Sequence, residues 1–236
     1  MNTMNDFEIC EEILVRYHGN GGDVTLPEGV TAIGERAFFN AKTVTSVTLP
    51  SGVSRIGKNA FQNCRSLSSI RLPEGLTVIG EQAFNSCLSL ASVTIPQTVT
   101  HIGEGAFFDC IAMTSIAVPE GVTRIEMGTF MWCKGLSEIT LPNTLTSVGD
   151  SAFDACSALV SLALPEGVTT VGEEAFNGCT SLEAIDLPKS LAHIGADAFA
   201  YCDSLTEIRY AGSQADWAKI DMVAELPAGT RVCCQG

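Results

Sequence analysis

Positive charge is scarce in this sequence. Lysine and arginine number 13 against 27 aspartates and glutamates, a formal net charge of −14. A nucleic acid or an anionic membrane surface requires a basic face, so this balance excludes both as partners. Aromatic residues make up 7% of the chain while apolar residues make up 46%, so Leu, Ile and Val must supply most of any core. No stretch is long and apolar enough to insert across a bilayer as a helix. The N-terminus, MNTMNDFEICEEILV, lacks a basic start followed by an apolar run, so a secretory signal is not expected. That implies a cytoplasmic protein if Met1 is the native start, or else a trimmed chain. Catalytic patterns are missing too. There is no glycine-rich phosphate loop, and no Ser-His-Asp or Cys-His set can be assembled from the spacing. An enzyme is not expected.

What is present is a repeat. The stretch LPEGLTVIGEQAFNSC, from Leu72 to Cys87, recurs along the chain with a period of 23 residues. Prolines stand at Pro27, Pro50, Pro73, Pro96, Pro119, Pro142, Pro165 and Pro188, and phenylalanines at Phe38, Phe61, Phe84, Phe107, Phe130, Phe153, Phe176 and Phe199. A cysteine follows each of these phenylalanines after three residues, except the first. A fixed period of this length is the signature of a solenoid, whose coils bury only their neighbours' faces. Acids recur in the turns, at Glu28, Glu74, Glu120 and Glu166 after proline and at Glu35, Glu81 and Glu104 after Ile-Gly, and read as a solvated rim.

Within one unit, Leu67-x-x-Ile70-x-Leu72 has the alternation of a strand. Pro73-Glu74-Gly75 follows as a turn, since proline presets φ and cannot donate to a ladder. The glycine slot holds Thr98, Thr144 and Ser190 elsewhere, so it does not demand a positive φ. Leu76-x-x-Ile79 is a second short extended piece, and Gly80 turns the chain again. Ala83-Phe84-x-x-Cys87 is too short for a full helix and predicts a 3₁₀ or single helical turn. Coils stacked at the strand spacing of about 4.8 Å place like residues over like. The predicted fold is an α/β-type repeat solenoid, mostly β, of eight coils over residues 26–209. Residues 1–25 form an N-terminal cap, a hairpin that feeds Val24-Thr25-Leu26 into the first strand, with a turn signal at Gly19-Asn20-Gly21-Gly22. Residues 210–236 form a C-terminal cap, in which Ser213 and Asp216 mark a helix start and Trp217 folds back as a lid.

The consensus LxxIxLPxxVxxIGxxAFxxC resembles the 23-residue leucine-rich repeats of the BspA type, common in bacterial surface proteins and some parasitic protists. The likeness covers nearly the whole chain. Tyr210-Ala211-Gly212-Ser213, followed by residues 214–220 with Trp217, resembles that family's closing segment. The resemblance implies a right-handed leucine-rich-repeat solenoid that serves adhesion or protein binding, generally at the cell surface.

Several residues are candidates for more than structure. Cys64, Cys87, Cys110, Cys133, Cys156, Cys179 and Cys202 share a column, in which neighbours would fall within disulfide range. Their side chains run parallel, seven cannot all pair, and none has zinc-finger CxxC spacing. They read as small buried hydrophobes, while Cys10, Cys233 and Cys234 lie in the caps. His101 and His193 share a column four coils apart, roughly 19 Å by the strand spacing, and so cannot share a metal; His18 stands apart. The consensus breaks in repeat five, where Glu126 replaces Gly, Thr129 replaces Ala, and Met131-Trp132 fill outward slots. With Phe108 in the preceding coil, Met127, Met131 and Trp132 form a candidate apolar partner-binding patch. The alternative is drift, with Trp132 lying over its own coil. Phe39 and Tyr201, in related slots, are expected to help the caps. The strand column Thr48, Arg71, Thr94, Ala117, Thr140, Ala163, Asp186 and Arg209 offers a small, polar face. These features predict a monomeric, non-enzymatic binding or adhesion module; the alternative is a structural spacer or self-associating element.

Overall fold

The computed structural model describes residues 6–235. Each coil enters through a short strand such as Ser69–Arg71, turns at Leu-Pro, and runs a two-residue strand such as Val78–Ile79. It then returns through a turn segment to the next coil. Most successive coils pair in parallel and in step with the repeat, the first-strand column being interrupted after Ser69–Arg71 and after Glu138–Thr140. Val47 lies beside Ile70, and Ile56 beside Ile79. No helix is long and apolar enough to cross a membrane among the described residues.

Because the pairing register equals the sequence period, each side chain meets its own kind. The eight phenylalanines form one continuous stack, fully buried, with ring centroids 4.8 to 5.8 Å apart. Tyr17 extends the stack below Phe38 at 4.9 Å, and Phe7 lies beyond Tyr17 at 5.7 Å. The cysteine column is also buried, and its thiols do more than fill space. Each Sγ donates to a phenylalanine carbonyl of the preceding coil, from Cys64 to Phe38 at 3.1 Å through Cys202 to Phe176 at 3.1 Å. Burial pushes the Cys64, Cys133 and Cys202 thiols up to about 12, and the other four well above the usual thiol range.

The turn segment is not the predicted 3₁₀ or helical turn. Residues four apart, such as Asn59 and Asn63, or Gln82 and Ser86, adopt left-handed backbone. This alternation divides the amides between two destinations. Ala60, Gln62 and Cys64 donate within their own coil, to Gly57, Asn59 and Phe61. Asn59, Phe61 and Asn63 donate to carbonyls of the next coil, at Glu81, Ala83 and Asn85, over 2.7 to 2.8 Å. A helical turn would commit every amide to its own coil and leave the interface between coils without backbone bonds.

Among the described residues the solenoid has about ten turns rather than eight. Ile13–Tyr17 and Gly22–Thr25 pair in parallel with Ala32–Ile33 and Val44–Thr48. Asp221–Met222 and Arg231–Cys234 do the same for His193–Ile194 and Glu207–Tyr210. Gly22–Thr25 is the entry strand of the repeat that holds Pro27 and Phe38, whereas Ile13–Tyr17, Asp221–Met222 and Arg231–Cys234 lie outside the proline and phenylalanine columns, so the repeat does not reveal them. Strand pairing needs only extended backbone and a few buried side chains, here Leu14 and Val24. At the N-terminal end, Phe7–Cys10 folds antiparallel onto Ile13–Tyr17. Its turn is made by Glu11 and Glu12, both left-handed, and the glycine run at residues 19–22 instead leads the chain into the next strand. The first five residues of the expected cap lie outside the described residues. At the other end, Ser213 and Asp216 form the expected capping box on the short helix Gln214–Trp217. Trp217 packs edge-on against Tyr210, with ring centroids 5.3 Å apart.

Two outcomes follow from these ladders. Phe130→Ala removes a ring from the middle of the stack and is expected to lose about 3–5 kcal/mol, read from urea unfolding; an unchanged midpoint would disprove the stack's role. In the native protein, a thiol reagent at pH 8 should titrate Cys10, Cys233 and Cys234 promptly. The seven ladder cysteines should react only on unfolding, since the thiolate is the reactive form.

Candidate functional site

Most coils place glycine after the second strand, and the packing shows why. An added Cβ at Gly103 would lie 2.5 Å from the Glu81 nitrogen, and one at Gly149 would lie 2.9 Å from the Glu126 carbonyl carbon. Real Cβ atoms do not approach backbone so closely, so coils stack fully here only with glycine. Repeat five has Glu126 in that slot, and the ladder breaks there. At the junction before, Thr100 donates to Thr77 at 3.0 Å and Gly103 to Ile79 at 2.9 Å. At the junction after, Thr146 donates to Thr123 and Gly149 to Ile125, both at 2.8 Å. Thr123 and Glu126 make no corresponding bonds among the described residues, and strands His101–Ile102 and Arg124–Ile125 belong to separate sheets. A cleft of about 140 Å³ opens between them, lined by Thr100, His101, Thr123, Arg124 and Glu126.

On the turn side of the same junction the ladder holds. Gly105, Phe107 and Asp109 donate to Met127, Thr129 and Met131 at 2.8 to 2.9 Å. Thr129, only 1% exposed, places its hydroxyl within 2.8 Å of the Glu126 carbonyl, to which it donates. The buried hydroxyl that replaces alanine is thereby satisfied.

The four residues singled out from the sequence occupy this turn side. Trp132 is 44% exposed and Met127 52%, while Phe108 and Met131 are half-buried. Phe108 and Trp132 stack with centroids 5.7 Å apart and planes 27° apart. Met131 lies back over Gly128, where an added Cβ would sit 4.0 Å from Sδ. The Trp132 backbone amide donates to the Asp154 carbonyl of the next coil at 2.8 Å, the Asp154 carboxylate lies near the Trp132 side chain, and the Lys134 ammonium lies 5.7 Å from the ring centroid. Asp154 is 8% exposed; its burial, reinforced by Glu174, pushes its carboxyl above the usual range. Trp132 is thus held from coils four, five and six together.

The sequence reading missed the backbone at this residue. Trp132 has φ +65°, in the left-handed slot that holds Asn40, Asn63, Ser86, Asp109, Ala155 and Gly178 in other coils. Asn, Asp and Gly accept that conformation readily, whereas a bulky residue there is an outlier. The recurrence of Asn, Asp and Gly in this column was the signal available. Tyr201 occupies the same slot with φ +57° and is 74% exposed, so it stands into solvent rather than serving the cap as expected. Phe39 is half-buried beneath the Arg36 guanidinium, 4.1 Å from the ring centroid.

Other candidates stay dispersed. His193 pairs with Asp221 at 2.9 Å and His18 with Glu8 at 3.2 Å, at opposite ends of the solenoid. No group of three or more His, Cys, Asp or Glu side chains is arranged to hold a metal among the described residues. The strand face is grooved rather than flat where coils three to six meet, with hollows of about 450 and 410 Å³. Ser92, Thr94 and Ser115 line them with few charged groups. Farther along, the guanidinium of Arg209 bridges Asp186 and Glu207.

Glu126→Gly should close the junction. Hydrogen exchange at the amides of Thr123 and residue 126 is expected to slow to the level of Thr146 and Gly149. If protection does not rise, the Cβ at 126 is not what separates the coils.

Comparison with known proteins matches this geometry. A family model described as BspA type leucine-rich repeat region, in 6 copies, matches residues 16–136 and 100–219. No curated protein sequence matches the chain. A crystal structure of a T. pallidum leucine-rich repeat protein is similar at TM-score 0.62 and 28% identity, over 86% of this chain and 90% of that one. A leucine-rich repeat protein from Bacteroides ovatus shares the fold at TM-score 0.50 and 24% identity, over 95% of this chain and 73% of that one. With its repeats matched from residue 16 to residue 219 and its coils stacked as described, the chain belongs to the BspA-type leucine-rich repeat family.

Proposed function

We propose that the protein is a non-enzymatic protein-binding module that seats its partner on the turn side of coils four to six, with Trp132 as anchor. Leucine-rich repeats suggest protein interaction in general. The observation that carries the specific reading is a solvent-facing tryptophan in a backbone slot that disfavours it. Left-handed backbone at a bulky residue costs about 1–2 kcal/mol. The stack on Phe108 offsets roughly 0.5–1.5 kcal/mol of that, so folding gains little from keeping the indole exposed. A partner that buries it would gain.

The site suits such a partner. The ring stacks on Phe108 and its backbone is tied to the Asp154 carbonyl, so little side-chain freedom is lost on binding. Met127, exposed and unbranched, can adapt to an irregular apolar surface beside it. Tryptophan at the centre of a patch is a common hot-spot residue.

Trp132→Asn tests this without threatening the fold, because asparagine fits the slot. Its unfolding free energy is expected to stay within about 1 kcal/mol of the parent. Capture of a partner from surface extracts should be lost in Trp132→Asn and in Met131→Ser with Trp132→Ser. In a Trp217→Phe background Trp132 is the sole tryptophan, and its emission should shift to the blue when partner is added. Equal capture by the variants would move the site to the strand-face grooves. Absence of capture by the parent chain would favour a structural spacer.

A further inference from the structure

The turn ladder ends with donors that have no acceptors. In each of the first seven repeats, three alternate amides of the turn segment donate to carbonyls of the next coil. The last complete set runs from Glu174, Phe176 and Gly178 to Ala196, Ala198 and Ala200, at 2.8 to 2.9 Å. Coil eight repeats the same backbone, with Asp197 and Tyr201 left-handed. Its amides at Asp197, Phe199 and Tyr201 have no acceptor among the described residues. The chain leaves the repeat after this coil, and Asp221–Met222 and Arg231–Cys234 continue the two strand columns but not the turn column. Residues 225–228 instead stand off from the turn edge and leave a groove of about 340 Å³.

We propose that this groove docks an extended polypeptide segment of positive charge, whose alternate carbonyls accept from Asp197, Phe199 and Tyr201. Seven preceding junctions show the required geometry: a chain presenting carbonyls at three alternate residues, with a phenylalanine between the second and the third. It is edge addition in the manner of a sheet, on a turn ladder. The sign of the charge follows from the rim. Asp197, Asp203 and Glu225 line the groove, no lysine, arginine or histidine does, and no cation pairs with these acids among the described residues. Leu226 and Pro227 supply an apolar wall, and the exposed Tyr201 ring flanks the entrance.

A second copy of this chain does not meet the requirement. The middle acceptor of the matching row in coil one, the Ala37 carbonyl, is already engaged by the Tyr17 amide at 2.8 Å, and the Tyr17 ring covers Phe38 there. Two chains of net charge −14 also repel one another.

The probe is the capped peptide acetyl-Lys-Lys-Ala-Phe-Lys-Gly-amide, compared with acetyl-Glu-Glu-Ala-Phe-Asn-Gly-amide, which copies residues 173–178. Amide NMR of the full chain should show saturable downfield shifts and slowed exchange at Asp197, Phe199 and Tyr201 with the cationic peptide only. Asp203→Asn with Glu225→Gln should weaken binding roughly fivefold at low salt, whereas Trp132→Asn should leave it unchanged. Equal binding of the acidic peptide would overturn the charge assignment. Shifts confined to residues 231–234 or to the Trp132 patch, or no shifts at all, would overturn the docking edge itself.

Discussion

The structure depends on one arrangement, the division of turn-segment amides between a coil and its successor. Asn59, Phe61 and Asn63 reach forward while Ala60, Gln62 and Cys64 bond at home. This divides the polar backbone of the turns without a helix, and it clamps neighbouring coils at strand spacing. Once the spacing is set, the rest follows from contact. Phenylalanine rings must stack, thiols must meet the carbonyls one coil back, and the residue after the second strand must be glycine.

That regularity makes departures informative. Where Glu126 takes the glycine slot, the second-strand ladder is interrupted and a cleft appears, yet the turn ladder beside it survives. The same coil carries Trp132 in a left-handed slot, braced by Phe108 and Asp154 from the coils on either side. A solenoid supports each coil only through its neighbours. An interrupted ladder and a strained aromatic in one coil therefore draw on the two adjoining coils, which remain regular in both the phenylalanine stack and the cysteine column.

The ends obey the same logic with opposite outcomes. At the N-terminal end a hairpin folds over the first full coil, and Tyr17 both continues the ring stack and donates to Ala37. At the C-terminal end the two strand columns are extended, but the turn column is not, which leaves three donors facing a groove with an acidic rim. Capping a coil requires covering its apolar face. Covering every polar edge is a separate requirement, met at one end only in part.

The 23-residue period by itself determined the solenoid, the buried phenylalanine and cysteine columns, and the coil in which the consensus fails. Period and register are the same quantity in a stacked repeat, so a column in the sequence is a ladder in space. Comparison of the columns also marked Met127 and Trp132, which are exposed, and Met131, which lies half-buried over Gly128. Tertiary structure alone decided the rest. The outer turns at Ile13–Tyr17 and Arg231–Cys234 lie outside the 23-residue spacing of proline and phenylalanine and exist because an extended segment can pair with an open edge. The left-handed slots depend on where amides find acceptors in another coil, which spacing of side chains does not encode. Whether Trp132 and Tyr201 pack or stand free was settled by the same contacts. Phe108 and Asp154 flank the first, while the second stands beyond the last turn ladder with no coil above it.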